Sequence, residues 1–158
     1  MNKPKVIFIS STGGHLSEML RLKELFKKYD YHIITENTKT NYQLREDYNG
    51  KVSYLLYGTK HHMLTYPFVC IVNIILSIYY YIKYKPKYII TTGAHTCYVM
   101  CVLGHLFGSK VIFIESFANI STKTLTGRLV YKIADVFIVQ WESMLKLYPK
   151  AIYGGWIY

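Results

Sequence analysis

A glycine-rich segment near the start of the chain, Ser10-Ser11-Thr12-Gly13-Gly14-His15, is the first candidate for chemistry. It lies between an apolar run and a stretch with helical spacing, so it should join a strand to a helix. Gly13 and Gly14 let the backbone approach a ligand closely, and the helix start offers N–H groups to a phosphate or pyrophosphate. Ser11 and Thr12 could add hydroxyl hydrogen bonds. A tight turn with a helix cap is the alternative, and the composition favours anion binding.

Two further candidates follow later strands. Glu115 ends an apolar run, where a carboxylate suits a general base or a binder of sugar hydroxyls. The alternative for Glu115 is a surface ion pair with a lysine. Gly93 and His95 come after another apolar run. Small residues there permit close approach of a ligand, and His95 could face the same cleft; a helix-capping turn explains them equally well.

Alternating strand and helix patterns must position these residues. Apolar, β-branched runs predict strands at residues 5–10, 31–35, 53–57, 87–92, 110–115 and 135–140. Helical spacing predicts helices at 15–29, 95–107, 121–133, with Ser121 as its cap, and a short one at 142–147. A terminal strand should follow. We therefore expect one α/β domain over residues 1–158, a Rossmann-like doubly wound parallel sheet that binds ligands beyond the carboxyl ends of its strands.

The charge balance limits the choice of partner. The 158 residues include 19 Lys and Arg against 9 Asp and Glu, a net charge of +10. This points to anionic partners: phosphorylated substrates, anionic lipid or nucleic acid. Nucleic acid is not expected, because the sequence has neither a long basic block nor an RNA-recognition motif. The first apolar run is too short for a secretory signal, so a cytoplasmic location is expected.

The three cysteines lie in apolar surroundings, as expected of free thiols in a reducing compartment. Cys97, Cys101 and His105 have the spacing of successive helix turns, which raises the alternative of a metal site. One ion rarely reaches three residues over two turns, so core packing is the favoured interpretation and neither a metal nor a cofactor is expected.

An uncharged apolar segment of about 20 residues, at about 63–83, is long enough to cross a bilayer. Spanning would place the strands before and after it on opposite sides of the membrane, which one sheet does not allow. An interfacial helix, a buried core helix and a spanning helix stay open, with the interfacial one favoured. The residues expected at the membrane are Pro67, Phe68, Ile71, Ile75, Tyr79 and Lys83.

Two segments carry a specific family resemblance. SSTGGHLSEML resembles the first glycine-rich loop, GGTGGH, of the MurG family of UDP-GlcNAc transferases. The stretch from Gly93 to Asp135 is similar to a later part of that family's N-terminal domain, which contains His-Glu-Gln-Asn. This chain has Ile114-Glu115-Ser116-Phe117 there, keeping only the Glu. Nearly the whole chain also resembles the enhancer subunits of bacterial capsular and exopolysaccharide glycosyltransferases. It is likewise similar to the membrane-anchor subunit of the eukaryotic transferase that adds the second GlcNAc to dolichol pyrophosphate.

The resemblance implies half of a split GT-B enzyme. The implied role is the acceptor-binding, membrane-docking subunit of an inverting UDP-sugar hexosyltransferase, which adds the second sugar to a lipid-pyrophosphate-linked saccharide in capsule or exopolysaccharide synthesis. A separate donor-binding catalytic subunit would be its partner, and the chain alone would be inactive. It would lie at the cytoplasmic face of the cell membrane. The resemblance favours Glu115 as base with His15 as the alternative. The implied acceptor pyrophosphate-binding residues are His15, Ser11, Thr12, Gly13, Gly14, Gly93 and His95.

Two other functions remain open from sequence. The chain could be a scaffold that recruits and activates the catalytic subunit without touching the reaction, or an unrelated phosphate-binding α/β protein. Substitution of Glu115 and His15 separates the first from a participating subunit, and binding of free nucleotide by the isolated chain would favour the second. The C-terminal Trp156 could anchor a partner, although packing against the sheet explains it equally well.

Overall fold

The computed structural model describes residues 3–58 and 66–157. Seven parallel strands form one sheet in the order β3-β2-β1-β4-β5-β6-β7. The strands are β1 Lys5–Ser10, β2 Asp30–Asn37, β3 Val52–Leu56, β4 Tyr88–Gly93, β5 Lys110–Ile114, β6 Val136–Val139 and β7 Ile152–Tyr153. From β1 to β3 each new strand is added toward one edge of the sheet, and from β4 to β7 toward the other edge, so the order of addition reverses between β1 and β4. The predicted Rossmann-like α/β fold is confirmed, and the reversal places a ligand crevice at the carboxyl ends of β1 and β4.

Helices cover both faces of this sheet. The α-helices are α1 Gly14–Leu20, α2 Lys23–Lys28, α3 Leu44–Asp47, α4 Tyr66–Tyr84, α5 Tyr98–Phe107 and α6 Leu125–Val130. One core layer joins the sheet to α1, α2 and α3 through buried residues such as Met19, Phe26 and Leu44. The other joins it to α4, α5 and α6 through residues such as Met100 and Val130. Because the central strands are covered on both sides, their buried positions are mostly apolar, and many of them are β-branched.

Two predicted helices have different bounds in the structure. The single helix expected at 15–29 is wrong, since the chain forms α1 and α2 with a break at Arg21 and Leu22. There the amides of both residues bond to carbonyls three positions back, Glu18 and Met19, which ends the α-helical ladder. The helix expected from Ser121 begins at Leu125 instead. Its cap is Thr124, whose hydroxyl accepts the Gly127 N–H at 2.9 Å.

Three smaller elements also differ from expectation. The polar stretch after β2 contains the short helix α3, which its composition did not indicate. His95–Cys97 forms a 3-10 turn before α5, and Glu142–Lys146 is a 3-10 helix where a short α-helix was expected. Glu115 lies one residue beyond the end of β5. None of these changes moves a candidate residue away from the carboxyl edge of the sheet.

The apolar segment forms α4, which connects β3 to β4 and lies along the sheet. It begins with Pro67 in its first turn, a position that suits proline. The Asn73 side chain bonds the N–H and C=O of Leu56 at 2.8 and 2.9 Å, and the Tyr80 hydroxyl bonds the carbonyl of Tyr54. Ser77 is its one buried residue among those described. The alternative of a fully buried core helix is therefore wrong. Residues 63–65 of the predicted segment lie outside the described residues.

Candidate functional site

The glycine-rich segment lies where β1 and β4 diverge. Gly13 has φ +78° and ends the turn immediately before α1, so a side chain there would strain the backbone even though space is open around it. The Ser11 N–H donates to the Gly93 carbonyl, which ties the segment to the end of β4. Gly93 itself has φ +102°. The sequence therefore correctly placed these glycines at one edge, at positions where the backbone needs them.

His15 is held at this crevice by two reciprocal hydrogen bonds to Thr92. Its Nδ1 lies 2.8 Å from the Thr92 carbonyl oxygen, and the Thr92 hydroxyl donates to the His15 carbonyl at 2.7 Å. A carbonyl only accepts, so Nδ1 carries the proton and Nε2 of the neutral ring keeps its lone pair. A Cβ on Gly93 would lie 3.4 Å from the ring, and its φ of +102° is what favours glycine at this position. This arrangement gives the imidazole the tautomer that a general base requires.

Glu115 is buried, with 2% of its surface exposed, and both carboxylate oxygens have protein partners. Oε1 accepts from the Asn119 amide at 2.8 Å and from the Ser116 N–H at 3.2 Å. Oε2 lies 3.5 Å from the Thr124 hydroxyl and 3.4 Å from that of Tyr148. Burial raises the pKa of the Glu115 carboxyl, although these hydrogen bonds and the neighbouring imidazole act in the opposite direction. The carboxylate therefore fixes the loop after β5 through Asn119 and Ser116, and its other oxygen lies against the Thr124 and Tyr148 hydroxyls.

The Glu115 cluster depends on a glycine in α6. A Cβ on Gly127 would lie 2.5 Å from Glu115 Oε2 and 2.6 Å from the Tyr148 hydroxyl oxygen. No real Cβ tolerates such contacts, so Gly127 is what lets the helix approach the carboxylate. No local sequence pattern indicates this requirement, because Glu115, Gly127 and Tyr148 lie far apart along the chain.

A second carboxylate fixes the same loop from the other side. Glu18, in α1, accepts the Ser116 hydroxyl at 2.8 Å and the Phe117 N–H at 3.1 Å through its Oε1. Its Oε2 is buried and has no partner among the described residues. Because His15 and Glu18 share one face of α1, this contact couples the position of the imidazole to the loop that follows β5.

Glu36 is the site residue that sequence reasoning missed. It is 1% exposed at the end of β2, and its Oε2 accepts the Thr12 N–H at 3.2 Å. Its Oε1 accepts the Thr96 hydroxyl at 2.7 Å and lies 3.6 Å from His95 Nε2. The carboxylate thus joins the glycine-rich segment to the turn after β4. It also takes the Thr12 N–H, so Thr12 is left with its hydroxyl to offer a ligand.

The predicted membrane residues lie on the outer surface of α4. Phe68, Ile71, Ile75 and Tyr79 are more than half exposed and recur every three or four positions, so they form one apolar stripe. Pro67 and Lys83 are exposed near its two ends. The helix is long and apolar enough to cross a membrane by length and composition, and 6% of its apolar window is buried. At its start, Tyr66 lies beside His95, so the stripe begins next to the crevice.

The thiols and His105 do not converge. Cys97 and Cys101 are fully buried in the core, where Cys97 Sγ donates to the Ala94 carbonyl, and His105 is exposed on the surface of α5. Across residues 3–58 and 66–157, no group of three or more His, Cys, Asp or Glu side chains could hold a metal ion.

Sequence comparison connects this geometry to known proteins. The profile of a family described as "Oligosaccharide biosynthesis protein Alg14 like" matches residues 58–157. The mouse UDP-N-acetylglucosamine transferase subunit ALG14 is 27% identical over 177 residues, covering 96% of this chain and 82% of the mouse protein. The human protein of the same name is also 27% identical, over 95% of this chain and 81% of its own length. A third, from Kluyveromyces lactis, is 38% identical over 76 residues, 44% of this chain and 32% of the yeast protein.

Solved structures share the fold at low identity. MurG from Acinetobacter baumannii matches with a TM-score of 0.72 at 17% identity, over 89% of this chain. The UDP-GlcNAc 2-epimerase from Methanocaldococcus jannaschii matches with a TM-score of 0.69 at 15% identity, over 92% of this chain. The chain spans 42% of the length of each of these two proteins. At such identities the comparison establishes the Rossmann-like fold of GT-B domains and nothing about activity.

Proposed function

The chain belongs to the Alg14-like family of oligosaccharide biosynthesis proteins, and from this we propose that it is the acceptor-binding subunit of a UDP-sugar transferase. Its relatives are named as UDP-N-acetylglucosamine transferase subunits. The acceptor we propose is a sugar linked to lipid pyrophosphate, and the product carries a second sugar. The bacterial capsular or exopolysaccharide setting remains a prediction from the sequence, since these relatives are eukaryotic.

The observation that carries the proposal is the orientation of His15. With Nδ1–H bonded to the Thr92 carbonyl, the Nε2 lone pair is available to take a proton at the crevice. In the proposed step, the acceptor hydroxyl gives its proton to Nε2 while its oxygen attacks the anomeric carbon of the donor. The bond from that carbon to the UDP oxygen breaks, UDP leaves with the electron pair, and the anomeric configuration inverts.

Glu115 is assigned a positioning role in this proposal rather than that of base. Both of its oxygens are occupied by Asn119, Ser116 and two hydroxyls, and its carboxylate is almost fully buried. A base has to reach the proton that it abstracts, which favours the half-buried His15 over Glu115. The loop that Glu115 and Glu18 hold in place forms one side of the crevice. The pyrophosphate-binding role predicted for Ser11, Thr12, Gly13, Gly14, Gly93 and His95 is proposed here for Thr12, through its hydroxyl, and Gly13. Gly93 lies beside His15, where we propose that the acceptor sugar binds.

The donor nucleotide is assigned to a separate catalytic subunit. The relatives of this chain are themselves named as transferase subunits, which supports dividing the enzyme between two chains. The described residues form one seven-stranded sheet whose carboxyl edge carries the acceptor-side groups. We therefore expect the chain alone to be inactive.

We propose that α4 docks on the membrane surface. The helix is held against the sheet by Asn73, Tyr80 and Tyr81, so a spanning orientation would draw the sheet into the bilayer. An interfacial orientation leaves the exposed stripe in contact with lipid and the lysines after it near anionic headgroups. Because the stripe starts beside the crevice, a lipid-linked acceptor would reach His15 without leaving the membrane surface. The cytoplasmic leaflet is the proposed side.

The test is sugar transfer from UDP-sugars to a lipid-pyrophosphate-linked sugar, with this chain, its donor-binding partner, and both. Activity in the mixture alone supports the proposal, while equal activity of the partner without this chain overturns it. Within the active mixture, His15→Asn is the informative variant. The Asn amide can still donate to the Thr92 carbonyl, but it lacks the Nε2 base. Turnover should fall by about 10²–10⁴-fold, and unchanged turnover would leave only a scaffold role.

A further inference from the structure

An open surface cavity of about 560 Å³ lies beside the glycine-rich segment, at the carboxyl ends of β1, β2 and β3. Its lining residues are Thr12, Gly13, Asn37, Thr38, Lys39, Thr40 and Tyr57. Three of them, Thr38, Lys39 and Thr40, belong to the loop after β2, which the sequence did not single out. The cavity combines hydroxyls, an amide and one lysine, which together are suited to an anion with several oxygens.

The hydroxyls in this cavity are arranged as a connected row. Thr12 Oγ1 lies 3.4 Å from Thr38 Oγ1, which lies 2.9 Å from Thr40 Oγ1. Buried Asn41 fixes the loop, because its Oδ1 accepts the Thr38 N–H and its Nδ2 donates to the Glu36 carbonyl at 2.8 Å. The loop is thereby tied to the base of the glycine-rich segment, and its hydroxyls are held in place before any ligand arrives.

Lys39 supplies the positive charge. It is exposed at the mouth of the cavity and is absent from the salt bridges of the described residues. Glu36, the nearest carboxylate along the chain, is engaged by the Thr12 N–H, Thr96 and His95. An ammonium group on a flexible stem can follow a phosphate without requiring one fixed geometry.

The cavity also has a defined position relative to His15 and α4. His15 lies at the β1–β4 junction, Lys39 follows β2, and Tyr57 follows β3. Since neighbouring strands lie about 4.8 Å apart, these three residues form a row that runs roughly 10 Å or more across the sheet edge, from His15 to Tyr57. The Tyr57 end of this row is near the start of α4, since Gly58 is in contact range of Tyr66 and Val69. A hexose followed by a diphosphate would occupy such a row, with the lipid leaving toward α4.

We propose that the Lys39 cavity binds the diphosphate of the lipid-linked acceptor and so fixes its direction, with the sugar toward His15 and the lipid toward α4. This inference rests on the proposed function for the identity of the ligand. Its chemical content, a diphosphate held by Lys39 and the threonine hydroxyls, is independent of any transfer reaction.

The first experiment measures binding of farnesyl diphosphate to this chain in neutral detergent by isothermal titration calorimetry, with UDP as the second ligand. Lys39→Met removes the charge and keeps most of the stem, Lys39→Arg restores a charge, and Lys85→Met is the matched control, since Lys85 is exposed at the opposite edge. Lys39→Met should weaken farnesyl diphosphate binding about tenfold or more, as expected for loss of one charge-assisted hydrogen bond. Lys39→Arg and Lys85→Met should bind as the wild type does.

Two outcomes overturn the inference: Lys39→Met binding farnesyl diphosphate like the wild type, or UDP binding with the same dependence on Lys39. In the assembled complex, Lys39→Met should raise KM for the acceptor about tenfold while leaving the donor KM unchanged. If the complex transfers no sugar but diphosphate binding still depends on Lys39, the proposed function is refuted and diphosphate binding at the cavity is supported. If Lys39→Met transfers sugar with an unchanged KM for the acceptor, binding of the acceptor diphosphate at the cavity is refuted and the proposed function is not.

Discussion

Substitution of Glu115 separates a positioning role from that of a base. In Glu115→Gln the side-chain oxygen can still accept from the Asn119 amide and the Ser116 N–H. The new amide N–H groups can donate to the hydroxyl oxygens of Thr124 and Tyr148, which are able to accept. The variant also removes a carboxyl whose pKa burial raises, so it no longer has to ionise in a buried place. We expect its unfolding free energy to stay within about 1 kcal/mol of the wild type.

Glu115→Ala has the opposite effect on stability. It leaves the Asn119 amide and the Ser116 N–H without their acceptor, and each unpaired buried donor costs about 1–3 kcal/mol. The more distant hydroxyls add little. The expected loss is therefore about 2–5 kcal/mol, measured by urea unfolding followed by circular dichroism. A loss below about 1 kcal/mol would show that the loop does not depend on this carboxylate.

The transfer assay then decides the role. If Glu115 positions the loop, Glu115→Gln should lower turnover of the assembled complex by less than about tenfold, below the usual contribution of a general base. If Glu115 were the base, the same variant should lose about 10²–10⁴-fold while remaining folded. A large loss in Glu115→Gln with wild-type stability would therefore refute the assignment of the base to His15.

Three further outcomes follow from the structure. Gly127→Ala should destabilise the fold by about 1–3 kcal/mol in urea unfolding, since its Cβ would press on Glu115; an unchanged midpoint would contradict the packing. Burial and nearby lysines lower the pKa of His32 to about 4, so stability should fall as pH drops from about 6.5 toward 4. A His32→Gln variant should lose that dependence. Ile75→Asp should abolish liposome flotation, whereas Ile152→Asp, similarly exposed in β7, should float like the wild type; equal flotation of both would exclude docking through α4.

The sheet could be predicted from sequence because its signal is local. Apolar, β-branched runs separated by helical patterns specify buried parallel strands, and the glycine-rich segment marks the first strand end. Boundaries were less certain where two local solutions compete. The break at Leu22 and the choice of Thr124 over Ser121 as cap depend on how each turn packs against the sheet, which no short window of sequence contains.

The candidate site was predictable in position but not in chemistry. Each predicted residue lies near the carboxyl edge because fold class alone puts it there. The surroundings of the Glu115 carboxylate depend on Gly127 and Tyr148. The Glu36 carboxylate is hydrogen-bonded to Thr96, which is 60 residues away. Such partners come together only in the folded chain, so the sequence could identify a carboxylate at a strand end without revealing that its oxygens are already occupied.

The placement of α4 would also determine how the proposed transferase finds its acceptor. The helix α4, which joins β3 to β4, is held against the sheet by hydrogen bonds. A bilayer in contact with its apolar stripe would therefore set the height and tilt of the crevice relative to the membrane surface. With the proposed docking, a lipid-linked acceptor would need to diffuse only laterally in two dimensions to reach the crevice, at the local concentration of lipid in the leaflet. Lipid composition and packing would then control turnover. The bulk concentration of acceptor would be a poor measure of the acceptor concentration at the crevice.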